Sequence, residues 1–168
     1  MSDMNRKGGT VRHKKPDFVT RLVNKFADPP DIAIGFPVGK SASTQYPDGT
    51  SVVDVAFWNN YGTKNHDGTV HIPARPFLDV GGLNAAFETK ELRKNLLKKI
   101  RNGEIDMIKA ADMVGAKAVA IMKRTIRDFD DPPNAPSTIK RKKSANPLID
   151  TGLMVQSVTW EVRKRKKS

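Results

Sequence analysis

The clearest amphipathic pattern in this 168-residue chain covers residues 105–128, and it limits what the rest can become. Ile108, Ala111, Gly115, Ala118, Met122 and Ile126 recur at helical spacing, which predicts one long helix with a single apolar face. Alanine and glycine on that face let a neighbouring backbone come close, so a sheet or a second helix is expected to pack directly on it. Elsewhere eleven prolines and eleven glycines cut the chain into short pieces. The expected fold class is α+β: a small antiparallel sheet against two or three helices, with flexible basic N- and C-terminal arms and long loops.

The shorter elements follow from spacing and punctuation. Pro16 suits a first helical position, and Phe18, Leu22 and Phe26 follow at i, i+4 and i+8 with Val19 and Val23 alongside, until Pro29-Pro30 ends the helix. Residues 31–36 alternate, with Ile32, Ile34 and Phe36 on one side of a half-buried strand. Tyr46-Pro47-Asp48-Gly49 marks a turn within a polar loop. Ser51 followed by Asp54 forms a capping-box pattern, and Gly62 stands where a left-handed C-terminal cap belongs, so a short helix is predicted between them. Val70 and Ile72 give a strand that Pro73 cuts off. From Pro76 the chain is helical again, with Leu83, Phe87, Leu92, Leu96 and Ile100 as its apolar stripe up to Asn102-Gly103. Residues 130–147 form a proline-rich connection with a short helical stretch over 137–143. Asp150-Thr151-Gly152 opens another turn or helix, and Val158, Trp160 and Val162 then face the core from a final strand.

Charge divides the chain further. The net charge is +12, from thirty basic and eighteen acidic residues. Fourteen of the basic residues sit in three runs: Arg6, Lys7, Arg12, Lys14 and Lys15; Lys140, Arg141, Lys142 and Lys143; and Arg163, Lys164, Arg165, Lys166 and Lys167. Without them sixteen basic residues face eighteen acidic ones, so the body is slightly acidic and the excess lies on two ends and one loop. The expected organisation is a flexible basic arm over 1–15, a single domain over 16–163 and a basic tail over 164–168. Lys140 to Lys143 and Arg163 to Lys167 are candidate contacts to a protein partner or to DNA. No apolar run approaches the ~20 residues that cross a bilayer, so no membrane role is expected.

Catalytic patterns fail on inspection. Gly39-Lys40-Ser41 lacks the glycine that a phosphate loop needs five residues before its second glycine, since position 34 is Ile, and Pro37 removes an amide. His66, Asp67 and His71 flank Gly68 and lack the spacing of a metal site. Asp128, Asp130 and Asp131 crowd a helix end without a histidine or lysine at a defined distance. Ser51, Ser137 and Ser157 have no nucleophile-elbow context. With no cysteine in the chain, thiolate chemistry is excluded. No enzymatic activity, cofactor or metal is expected.

Two segments carry a resemblance. The first is Ala56-Phe57-Trp58-Asn59-Asn60-Tyr61-Gly62-Thr63, followed after a polar insert by Ile72-Pro73-Ala74-Arg75-Pro76-Phe77-Leu78. The second is Asn146-Pro147-Leu148-Ile149-Asp150-Thr151-Gly152-Leu153, then Ser157-Val158-Thr159-Trp160. In this order, with a long helix between them, they resemble the tail-component and virion-morphogenesis families of long-tailed bacteriophages, over roughly residues 31–163. Asn60 departs from the glutamate that those families often have before the aromatic–glycine pair.

The resemblance implies a structural virion protein that completes the tail or joins head to tail, made in the host cytoplasm. It would form a ring, six-fold by family precedent, against head-connector and tail-tube or tail-terminator proteins, with its basic arms near packaged DNA. The runner-up is a nucleic-acid-binding protein that uses the same arms, against which no aromatic residue interleaves with the basic runs. The motif residues themselves read as fold-determining. Trp58 and Tyr61 are expected to anchor the short helix, and Gly62 to cap it. Pro73 and Pro76 stiffen a crossing in which Arg75 is a hydrogen-bonding anchor and Phe77 enters the core. Asp150 and Thr151 cap the turn at Gly152, and Trp160 lies on the buried face of the last strand.

Overall fold

The computed structural model describes residues 17–37, 44–142 and 144–164. The proposed arm over 1–15, Pro16, the failed phosphate-loop residues, Lys143 and Arg165, Lys166 and Lys167 lie outside them. Among the described residues the element order is α1 (Phe18–Phe26), β1 (Asp31–Gly35), α2 (Val52–Tyr61), β2 (Thr63–Lys64), β3 (Val70–Ile72), α3 (Phe77–Glu88), α4 (Lys90–Asn102), α5 (Met107–Asp128), α6 (Pro136–Lys142), α7 (Leu153–Ser157) and β4 (Thr159–Arg163). The fold class is α+β. The single small sheet expected from the sequence is instead two two-stranded antiparallel sheets, β1 with β4 and β2 with β3.

α5 is the axis of the molecule. Asp106 caps it by accepting from Lys109 N at 2.7 Å, and α3, α4, α7 and the β1–β4 sheet all pack on it. Its small residues do what their size permits. Ala110, Ala111, Gly115 and Ala118 are buried, and the Trp160 indole of β4 lies directly over Gly115. On the neighbouring face Gly81 of α3 sits against Met122. Ile108, expected on this apolar face, is exposed, and Met107 beside it packs against the Leu96, Ile100, Ala110 and Val114 cluster instead.

The helix predicted from Pro76 to Asn102 breaks in two at Thr89. There the buried hydroxyl donates to the Ala85 carbonyl at 2.7 Å, competing for an acceptor of the helix ladder. The break re-aims the apolar stripe. Leu96 and Ile100 of α4 are buried against Ala110 and Val114, but Leu83 and Phe87 of α3 are 72% and 81% exposed. α3 buries Phe77, Gly81 and Ala85 instead. These lie at i, i+4 and i+8, and two of them are too small to register as an apolar stripe.

α1 begins after Asp17, whose carboxylate accepts from Thr20 N at 2.7 Å. Its Val19 and Val23 are more than half exposed, so that part of the expected core stripe faces outward. β1 pairs with β4 in a register that sets Ile34 opposite Trp160 and Asp31 opposite Arg163. The strong alternation read for the last strand is blurred: Val158, just before it, is buried, whereas Trp160 and Val162 are half-buried like Thr159 and Glu161 between them. Among the described residues no helix is long and apolar enough to cross a membrane.

Candidate functional site

The two motif segments, about ninety residues apart in the chain, meet in one cluster. Val52 and Ala56 of α2 and Phe77 at the start of α3 share a core with Leu148, Met154, Val155 and Val158. Ser51 caps α2 by accepting from Val53 N. At the other end Gly62 donates its N–H to Trp58 O at 2.8 Å. Its backbone is not a left-handed cap, as the sequence suggested. With φ 75° and ψ 169° it occupies an extended positive-φ region that is essentially glycine-only. A Cβ there would come within 2.8 Å of Ala74 N and Ile72 O.

Phe77 is fully buried. Pro76 gives α3 no side-chain cap, and Asn60 of α2 supplies it: Asn60 Oδ1 accepts from Leu78 N at 3.0 Å. Asn60 is thus a buried residue that holds two helices together. Its Nδ2 is buried without a partner, as is Thr63 Oγ1 nearby in the chain.

Arg75 sits at the centre of the second connection. Only 3% exposed, it donates through Nε to Pro132 O at 2.8 Å and through a terminal nitrogen to Pro133 O at 3.3 Å and Asn134 Oδ1 at 3.4 Å. Its other terminal nitrogen reaches Asn59 Oδ1 at 3.5 Å, and its backbone N–H donates to Asn59 O at 2.8 Å. Asn134 in turn donates to Asn146 O, and Asn146 to Arg127 O at the end of α5. Arg75 is therefore the anchor the sequence suggested, and what it anchors is the base of the proline-rich connection. This relay of asparagines escaped the sequence reading, since its members are separated by 12 to 59 residues and share no local pattern. Thr151, half of the expected capping pair, accepts from Leu153 N at 3.3 Å, while Gly152 takes the left-handed conformation with φ 81°. Asp150 stays exposed at the edge of this turn.

Two expectations for the aromatic residues are corrected. Trp58 and Tyr61 do not anchor α2, being 40% and 62% exposed, because the buried face of this ten-residue helix is already filled by Val52, Ala56 and Asn60. Tyr61 stacks obliquely on Phe57, with centroids 4.8 Å apart, and the three rings form an outward patch. Trp160 is half-buried rather than enclosed, and its Nε1 donates to Asp112 Oδ1 at 2.8 Å.

The basic candidates separate by position. Lys140 and Arg141 are exposed on α6, and Lys142 is half-buried, where burial lowers the pKa of its ammonium, partly offset by Asp150. With Arg75 and His71, Arg141 and Lys142 line a cleft of about 550 Å³ beside the proline-rich connection. Arg163 is not a free contact group, for its guanidinium is bonded to Glu161 at 2.7 and 2.9 Å. Lys164 is exposed. The acids Asp128, Asp130 and Asp131 are exposed and border a separate, shallow depression at the end of α5. Among the described residues no three His, Asp or Glu groups stand close enough to hold a metal ion. Comparison with protein-family models, with curated proteins and with solved structures finds no match to this chain.

Proposed function

We propose that the chain is a structural protein of a tailed bacteriophage, a ring-forming tail-completion or neck adaptor that joins the head connector to the tail. The observation that carries this reading is the bare apolar stripe Val80, Leu83 and Phe87 on α3. Contiguous exposed apolar surface of this kind marks an interaction site in ordinary proteins. Phe57, Trp58 and Tyr61 on α2 make a second, unlike patch. A closed ring is built from heterologous contacts, in which each subunit presents two different surfaces. Two unlike apolar patches on rigid helices suit that requirement, and the ordered motif segments add the family resemblance. The ring, six-fold in this reading, would sit at the head–tail junction or the tail end.

Light scattering on the isolated chain at micromolar concentration should give a monomer or weak oligomer, with rings visible by electron microscopy once a connector or tail partner is added. Leu83→Glu with Phe87→Glu removes apolar area that the monomer leaves in water, so the melting temperature should hold while joining of heads and tails fails. Particles forming at normal yield with this double variant would refute the reading. Tight, salt-steep binding of duplex DNA by the isolated chain would favour nucleic-acid binding instead.

A further inference from the structure

We infer that the cleft between Arg75 and α6 is a docking site for a carboxylate-bearing segment of a partner protein. Three cations converge on it, Arg75 at its floor and Arg141 and Lys142 on the α6 side, with His71 at its edge. The floor is the decisive part. All four side-chain acceptors of Arg75 are neutral: two proline carbonyls and two asparagine amide oxygens. The ion pairs among the described residues are Lys94–Glu91, Arg124–Glu88 and Arg163–Glu161, so none engages Arg75, Arg141 or Lys142, although the Asp150 carboxylate acts on Lys142 beyond salt-bridge distance. A guanidinium buried to 97% is thus hydrogen-bonded but not neutralised. Burying a charge without a counter-charge is costly, and an incoming carboxylate removes that cost while making short charge-assisted bonds. Burial lowers the pKa of both Arg75 and Lys142, with no carboxylate acting on Arg75 to offset it.

The walls choose among anions. Ile72, Pro73, Pro133 and Pro147 flank the cations, which suits a carboxylate on an aliphatic stem set among apolar neighbours. A duplex, by contrast, presents phosphates along a stiff rod and answers to rows of exposed cations. The cleft asks nothing of the ring reading, since any acidic partner segment would fill it in the same way.

The test uses the full chain, titrated calorimetrically with a capped octapeptide that carries two adjacent glutamates between apolar residues, and with its glutamine counterpart. Arg141→Gln with Lys142→Gln removes the rim cations without touching the core. Lys98→Gln with Arg101→Gln removes the same charge from the exposed face of α4 and controls for general attraction by a basic chain. The site requires the glutamate peptide to bind, the glutamine peptide to bind at least tenfold more weakly, the rim variant to lose at least tenfold, and the α4 variant less than twofold. The ¹⁵N-labelled Arg75 Nε–H resonance should shift with the glutamate peptide in wild type. Equal losses in the two variants, indifference to the glutamine change, or no binding at millimolar peptide would overturn the proposal. So would a short DNA duplex that displaces the peptide and itself depends on Arg141 and Lys142.

Discussion

Gly115→Ala puts the packing of the long helix to a direct test, because two effects of opposite sign meet at one atom. In an exposed helix interior the change would stabilise by about 1 kcal/mol, since glycine is the poorer helix former. Here a Cβ would lie 2.7 Å from Cγ and 2.9 Å from Nε1 of Trp160, with Cδ1 nearer still. Ordinary carbon contacts begin near 3.5 Å, so the indole must retreat by about 1 Å. That shift is overpacking, at about 1–3 kcal/mol, and it strains the bond from Nε1 to Asp112, which contributes about 1 kcal/mol. The net cost is about 2 kcal/mol, or a fall in melting temperature of about 4–8 °C for a domain of this size. A double-mutant cycle with Trp160→Ala isolates the cause. Trp160→Ala alone should cost about 3 kcal/mol, at the low end for a tryptophan because the ring is half-buried. In that background Gly115→Ala should become stabilising by about 0.5–1 kcal/mol. Urea denaturation of the four proteins measures every corner. A Gly115→Ala variant as stable as wild type, or the same sign in both backgrounds, would refute the reasoning.

Other outcomes follow from neighbouring contacts. Gly62→Ala should cost at least about 2 kcal/mol in the same urea assay, since the added Cβ meets backbone atoms of Ile72 and Ala74 that cannot step aside. Gly81→Ala should stay within about 1 kcal/mol of wild type, because what the new Cβ meets is the flexible end of Met122. The Tyr46 phenol titrates above the ordinary tyrosine value of about 10, chiefly through burial and then through Asp150. Below pH 10 both states keep the proton; above it the unfolded chain loses it first, so stability falls until the folded phenol also ionises. Tyr46→Phe should remove that part of the alkaline loss, and urea midpoints at pH 8 and pH 11 compare the two proteins.

Much of this architecture was legible because local chemistry and tertiary structure agree. Ser51 caps the helix it precedes, Gly103 closes α4 in the left-handed conformation, and β1 and β4 follow runs of β-branched and aromatic residues; the Asp17 and Asp106 caps emerge only from the fold. Arg75 was legible as an anchor from the prolines around it, but its acceptors lie 16 to 59 residues away and only the fold brings them together. The run at 140–143 reads in the sequence as a uniform stretch of positive charge. The fold sorts it, turning Lys142 into a cleft wall and leaving Lys140 in solvent.

The errors on α3 have one physical origin, and it bears on function. Periodicity weights residues by hydrophobic size, so Leu83 and Phe87 outweigh Gly81 and Ala85 in any reading of the helix. Packing against α5 weighs them the other way. Ala85 packs with Ala118 and Ile121 of α5, and Gly81 seats Met122; a helix that comes this close does so through its own smallest side chains. Gly81 and Ala85 therefore turn inward, and Leu83 and Phe87 are left outside as a consequence. The same geometry that makes the core tight thus exports large apolar side chains to the surface. If that surface were an accident of packing, replacing Leu83 and Phe87 with glutamate would change nothing but solubility. If it is the face on which another subunit docks, those two positions combine indifference in the monomer's melt with sensitivity in assembly, a pairing that no core residue of this fold can show.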